Sequence, residues 1–167
     1  PETLALIAGH HETGAPIPVE LVQKLRATQT YMAGVNGLRQ MAFSWLDMMW
    51  YTADPTQVTD VGTFEDRALE GKTLFPRLAG PSSNSFGHIF GGGYAAGGYS
   101  FKWAEGLGAG GFGGFKGKGG YDPETAARYR DEILSRGGSE DPNVLYVRFR
   151  GRAPDPASVL RREGLSA

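Results

Sequence analysis

Asp141-Pro142-Asn143-Val144-Leu145-Tyr146-Val147-Arg148-Phe149-Arg150-Gly151 spells out one short helix from start to stop. An Asp side chain can accept hydrogen bonds from the first free amides of a helix. Proline in the next position gives up an N–H that would have no partner there anyway. Glycine at the far end takes the left-handed conformation that closes the last turn. The same grammar runs through Asp122-Pro123 to Gly137 and through Asp155-Pro156 to Gly164. The C-terminal third therefore predicts three short helices. Their shared caps are a helix grammar and not an internal sequence repeat.

Upstream, apolar residues fall at Val22, Leu25, Tyr31, Met32, Val35, Leu38, Ala42, Trp45 and Met49. The steps are mostly three and four, with one of six, which is helical period. This predicts one long helix from near Pro18 to Tyr51, of about 45–50 Å, broken by Asp54-Pro55. A core of this size does not cover such a helix easily. A shorter helix is expected from Phe64 to Leu74, with Thr63 as cap and Asp66 three residues on. Pro1 to Ile7 reads as a short helix or the end of one, and His10 to Pro18 as a loop dense in Gly and Pro. Arg77 to Ser85 reads as a polar loop. No clean alternating strand is present, so the expected class is all-α.

The chain has 167 residues, enough for one domain or a piece of one. It begins at Pro1 without Met, which fits a cut or processed segment. Apolar residues make up 40% and charged residues 21%, a composition that folds around a core. Lys plus Arg is 17 and Asp plus Glu is 18, a net charge of −1, which argues against nucleic-acid binding through bulk electrostatics. No Cys is present, so disulfides, thiolate metal sites and cysteine nucleophiles are excluded. With no signal peptide at the start and no apolar run of membrane length, a cytoplasmic setting is expected, without a membrane partner.

Glycine is the outlier. The chain has 26, and 14 of the 30 residues from Gly91 to Gly120 are Gly. Each costs roughly 1 kcal/mol relative to Ala inside a helix, so the stretch from 106 to 120 is expected to hold a helix poorly. Gly106-Leu107-Gly108-Ala109-Gly110-Gly111 matches the dinucleotide fingerprint GxGxxG. That chemistry needs a strand before it and a helix N-terminus after it. Residues 99–105 can be read as a strand only by force, and no helix signal follows, so a chance match is the better reading. Gly117-Lys118-Gly119 lacks the hydroxyl of a Walker A loop.

His11-Glu12 starts like a zinc-binding HExxH, but Ala15 stands where the second imidazole is needed. His10 and His11 are adjacent and cannot easily aim at one metal from regular structure. The expectation is a polar loop, with no metal ligand in this chain. Arg148-Phe149-Arg150-Gly151-Arg152 places cations at a helix end, where they offset the dipole. Trp45, Trp50 and Trp103 read as core.

The segment from Phe86 to Glu105 is the most informative for function. His88, then Gly91-Gly92-Gly93, then Tyr94 and Tyr99, would set an imidazole N–H and phenol hydroxyls around one cavity. Such donors suit a carbonyl grip or an oxyanion hole; a tight Gly turn with core aromatics is the plainer alternative.

At this point the sequence resembles the thimet oligopeptidase family of zinc metallopeptidases, which includes oligopeptidases and peptidyl-dipeptidases (dipeptidyl carboxypeptidases). His88-Ile89-Phe90 through Tyr94-Ala95-Ala96-Gly97 is similar to the family's substrate-binding loop. His10-His11-Glu12-Thr13-Gly14 with Pro16 and Pro18 resembles the loop before its long helix, and Leu38-Arg39-Gln40 the helix itself. Ile133-Leu134-Ser135-Arg136-Gly137-Gly138-Ser139 and Arg148-Phe149-Arg150-Gly151-Arg152 are similar to its C-terminal landmarks.

The resemblance implies a helical, two-lobed, zincin-like peptidase with a substrate channel. Residues 1–167 would be the C-terminal segment of its catalytic domain. In the family, zinc is held by an HExxH helix and a further Glu, all in the part preceding this segment. The resemblance therefore implies zinc in the complete enzyme, none bound by this chain alone, and no activity of this chain alone. Short peptides would be the substrates and the missing HExxH part a partner.

His88 matches the family's substrate-binding His, Tyr94 its flexible-loop Tyr, and Gly92 and Gly93 the bend that lets the loop close. Tyr99 lies in the same stretch as a candidate binding group. A further family Tyr, thirteen residues after the His, supplies a catalytic hydroxyl; here it is Phe101, which has none. Position 98, often Tyr in the family, is Gly98, and many positions from 106 to 120 carry Gly in place of the family's helix formers. The competing expectation is a stand-alone helical module that holds peptides through the His88–Tyr94 loop without cutting them.

Overall fold

The computed structural model of the chain describes residues 2–77 and 80–165. Pro1 and part of the expected polar loop, 78–79, lie outside the described residues. The described residues form helices and turns, and their one β-type pairing is an isolated bridge between Gly9 and Pro16. No helix among them is long and apolar enough to cross a membrane.

The chain divides into two compact units, residues 1–33 with 106–167, and residues 34–105. The first holds α1 (Glu2–Ile7), α2 (Val19–Thr28), α7 (Pro123–Tyr129), α8 (Pro142–Arg150) and α9 (Ala157–Arg162). The second holds α4 (Val61–Leu69) and α5 (Gly87–Phe90). The boundary crosses α3 (Ala33–Thr52) at its start and α6 (Ser100–Phe112) in its middle.

In the first unit the capping grammar holds for α7 and α8, whereas at α9 the cap position falls on Pro156, one residue after the expected Asp155. Asp122 accepts from the amide of Thr125 at 2.8 Å, Asp141 from Asn143 at 2.7 Å, and Asp155 from Ala157 at 3.0 Å. Gly137, Gly151 and Gly164 stop the runs with φ of 52°, 72° and 70°. Beyond Tyr129 the helix loosens into a π turn over Arg130–Leu134, where the amide of Ser135 reaches the Arg130 carbonyl at 2.8 Å. The rings of Phe115, Tyr129 and Phe149 meet at 5.2–6.2 Å. Arg148, in the basic cluster, pairs with Glu140 at 2.8 Å.

Several sequence expectations need correction. The single helix from Pro18 to Tyr51 is two helices, α2 and α3, separated by a turn at 29–32. Met32 takes φ of 54°, and the hydroxyls of Thr28 and Thr30 donate back to the Leu25 and Ala27 carbonyls. Such back-bonding loosens a helix end, and the break falls at the one six-residue step in the apolar pattern.

The helix expected at Phe64–Leu74 starts and ends earlier. Asp60, not Thr63, is the cap and accepts from the Thr63 amide and hydroxyl, both at 2.7 Å. Gly71, with φ of 68°, follows its end.

The glycines do not stop α6, which runs through Gly106, Gly108, Gly110 and Gly111 to Phe112. Residues 100–105 are helix rather than strand, so the GxGxxG match lies inside a helix, away from any strand-to-helix phosphate turn. Packing explains part of the stretch. A Cβ on Gly110 would sit 2.0 Å from the Tyr146 hydroxyl, and one on Gly113 or Gly114 about 3 Å from the Arg150 guanidinium. Nothing within 4 Å explains Gly106 or Gly108.

The second unit is built on α3. Leu46, Ala68 and Ile89 form its buried centre, with Met49, Trp50, Phe64, Leu69 and Phe86 packed around it. Trp50 lies 4.0 Å from Phe64, ring to ring, and its indole N–H donates to the Ser83 hydroxyl at 2.8 Å. Trp45 instead donates to the Ala68 carbonyl at 2.9 Å, with its ring about half exposed, a correction to its reading as core; Trp103 is more exposed still.

Candidate functional site

The site grows from α5 and the loop after it. Ile89 is fully buried and pins α5 to the core, which turns its neighbour His88 outward. The imidazole stacks on Phe86 at 5.5 Å, faces Tyr94 at 5.0 Å and meets the edge of Phe101 at 6.3 Å. Tyr94 and Phe101 close the group at 5.6 Å. Three of the residues singled out from the sequence, His88, Tyr94 and Phe101, thus stand together. Tyr99 does not join them: among the described residues it makes no ring contact with the three, and it is about half exposed.

Between His88 and Tyr94 the chain passes through Gly91-Gly92-Gly93. The amide of Gly91 closes α5 on the Gly87 carbonyl at 2.6 Å. Gly92 takes φ of 82°, where a side chain would be strained. Neither Gly92 nor Gly93 has a neighbour within 4 Å of a would-be Cβ, so this part of the loop is open.

Beside the rings lies a cavity of about 600 Å³, within the size range of small-ligand sites. His88, Phe86, Phe101 and Phe43 supply apolar and aromatic wall, and Arg39 and Glu105 bring opposite charges to it. The Arg39 guanidinium lies over the Phe43 ring at 4.6 Å, and Glu105 pairs with Lys102 at 2.7 Å. The imidazole and the Tyr94 phenol are donors that can grip a peptide carbonyl; Phe101 offers only a ring.

Two buried carboxyl groups that sequence reasoning passed over hold the frame. Glu65, with no exposed surface, accepts from the amides of Ser82 at 2.9 Å and Ser83 at 3.1 Å and from the Ser82 hydroxyl. Burial pushes its carboxyl pKa up, but these hydrogen bonds outweigh it and hold the group below its ordinary value. Asp47, 3% exposed, accepts from the amides of Ala96 and Gly98. The available signal was an Asp in the middle of the apolar run Trp45-Leu46-Asp47-Met48-Met49-Trp50. An acid there needs a buried partner.

The described residues do not make a zinc site. Among the described residues no three His, Asp or Glu side chains converge as a metal cluster. The His10 and His11 rings are 4.8 Å apart, and His10 Nδ1 faces the amides of Glu12 and Thr13 at 3.3 and 3.4 Å.

The sequence is similar to that of known proteins. The sequence profile of Peptidase family M3 matches residues 1–165. Oligopeptidase A of Escherichia coli (strain K12) is 41% identical over 170 residues, covering 99% of this chain and 25% of that protein. The organellar oligopeptidase A, chloroplastic/mitochondrial, of Arabidopsis thaliana is 42% identical, over 99% of this chain and 22% of its own length. Dipeptidyl carboxypeptidase of Escherichia coli (strain K12) is 38% identical, over 99% and 25%. The chain thus spans about a quarter of the length of the curated relatives it matches. With the profile matching nearly its whole length, this chain belongs to Peptidase family M3.

Proposed function

We propose that residues 1–167 are the C-terminal segment of the catalytic domain of an M3 oligopeptidase, and that the His88–Tyr94 loop binds the backbone of short peptide substrates during their hydrolysis. The observation that carries this reading is the grouping of His88, Tyr94 and Phe101, of which His88 and Phe101 line a cavity of about 600 Å³. The imidazole N–H and the phenol hydroxyl of Tyr94 donate to substrate carbonyl oxygen, and the aromatic wall of Phe86 and Phe101 receives an apolar side chain. The relatives' printed names, oligopeptidase A and dipeptidyl carboxypeptidase, support peptides as the substrate class. Zinc, which supplies Lewis-acid chemistry and an activated water in such enzymes, is held in this reading by residues outside 1–167. The segment alone is inactive.

A stand-alone peptide-binding module is the less favoured reading, because of α3. Leu38, Met41, Trp45 and Met48 recur at helical spacing and are all exposed, Met41 at 58% and Trp45 at 45%. An apolar stripe of this kind marks a surface that something else covers, which suits a segment of a larger catalytic body.

The test is steady-state hydrolysis of a short fluorogenic peptide by the complete protein carrying His88→Ala or Tyr94→Phe. Each variant is expected to lower kcat/KM by about tenfold or more, as loss of a donor to substrate does. Unchanged kcat/KM in both variants overturns the reading.

A further inference from the structure

We propose that Asp47 is a positioning residue for the His88–Tyr94 loop: its carboxyl group pins Ala96 and Gly98 to α3 and leaves Gly92 and Gly93 as the segment where the loop bends. This rests on the peptide-binding reading of the loop and deepens it.

Four observations converge. Asp47 is 3% exposed, and each of its oxygens takes one loop amide, Oδ1 from Ala96 at 3.0 Å and Oδ2 from Gly98 at 2.9 Å. Ala96 stands at φ of 53°, a left-handed conformation that costs a non-glycine residue and needs the surroundings to hold it. The amide made available by that turn is the one Asp47 accepts. Gly98 is held so close to α3 that a Cβ would fall 3.2 Å from Asp47 Oδ2 and 3.4 Å from the Ser44 Cα. Finally Tyr51, one helical turn after Asp47, donates its hydroxyl to the Ile89 carbonyl.

One face of α3 therefore fastens the loop at both ends. Tyr51 fixes the His88 end and Asp47 fixes the end beyond Tyr94, at a spacing set by one turn of helix. Between the two anchors, Gly92 and Gly93 form an open stretch. The 5.0 Å separation of the His88 and Tyr94 rings follows from this arrangement. With the clamp released, the Tyr94 ring no longer holds a fixed place beside the imidazole.

The experiment has two arms. In the first, amide hydrogen exchange of Ala96 and Gly98 is followed by NMR in this chain, for the parent and for Asp47→Ala, Asp47→Asn and Gly98→Ala. Exchange at these two amides is expected to accelerate by about tenfold or more in Asp47→Ala. Gly98→Ala, which pushes the loop off the carboxyl group, gives the same pattern without touching Asp47. Asp47→Asn is the conservative variant and a safeguard if Asp47→Ala folds poorly; one of its positions still accepts, so only one amide loses protection.

In the second arm, kcat/KM of the complete protein is measured for Asp47→Asn, Tyr94→Phe and the double variant, with Ser44→Ala as control. The double variant is expected to be no worse than the poorer single one, because both remove the placed phenol. Unchanged exchange at Ala96 and Gly98 overturns the clamp, and so do fully additive kinetic losses. Accelerated exchange together with a silent Tyr94→Phe supports the clamp and places the failure in the peptide-binding reading.

Discussion

Replacing Glu65 by Gln tests how the site's frame is held, and the structure sets both size and sign. Glu65 lies wholly buried on α4 and takes three hydrogen bonds from Ser82 and Ser83, at the 3₁₀ turn Ser82–Asn84 that leads into Phe86 and His88. Ser83 in turn accepts from Trp50, so the carboxylate, the turn and α3 form one network. A glutamine keeps the shape but turns one acceptor into a donor that faces an N–H. Hydrogen bonds to a charged group are worth about 1.5–3 kcal/mol, and a buried donor left without a partner costs about 1–3 kcal/mol. The variant should therefore lose about 2–4 kcal/mol at neutral pH.

The pH dependence follows from the depressed carboxyl pKa. A group whose folded pKa lies below its unfolded one stabilises the fold above the unfolded value, near ~4.3 for Glu. That contribution disappears as pH falls through the folded value. Urea unfolding followed by tryptophan emission, to which Trp50 contributes, should show the parent losing stability below about pH 5. Glu65→Gln should show a shallower decline, so the gap between the two closes in acid. A gap that stays constant from neutral pH into acid would refute the reasoning, because the carboxylate would then contribute nothing through its charge.

Three further outcomes follow. Gly108→Ala should raise stability by about 1 kcal/mol, or roughly 2–4 °C in the melting midpoint, since its Cβ enters open space on a helix. Gly110→Ala should lower it, because its Cβ meets the Tyr146 hydroxyl, and Tyr146→Phe in that background should recover most of the loss; a melt in which both alanines behave alike contradicts the packing account. Phe101→Tyr in the complete protein should raise kcat by up to ~10²-fold by restoring a hydroxyl beside His88 and Tyr94. Steady-state kinetics checks this, and an unchanged kcat removes position 101 from the reaction.

The helices were legible where local chemistry sets them. Asp122 and Asp141 cap as their Pro neighbours announced, because a cap needs only the next three residues, while Asp155 lies one residue ahead of the cap position at Pro156. The limits were not legible where two local signals compete. Thr63 looked like a cap, yet Asp60 three residues earlier takes its amide. The apolar spacing through residues 22–49 hid a turn at 29–32 whose only trace was one long step. Helix propensity argued against α6, and Gly110 shows why it misled: its missing side chain makes room for Tyr146.

The site divides in the same way. His88, Tyr94 and Phe101 were visible as residue types near one another in sequence, and the short loop between them keeps them near in space. Asp47 and Glu65 act across gaps of 49 and 17 residues on amides, which carry no side-chain signature. Tyr99, an equally plausible aromatic by sequence, falls outside the group because Gly97 and Gly98 turn the chain into α6 before it.

The most direct measurement of the central claim is zinc content and peptide hydrolysis for this chain alone, and again after it is joined to the HExxH-bearing part that the proposed function requires. The account predicts no stoichiometric zinc and no hydrolysis in the first case, and in the second both zinc and an activity that falls when His88 is changed to Ala. Zinc-dependent hydrolysis by the 167 residues alone, or full activity without the His88 imidazole, would contradict it.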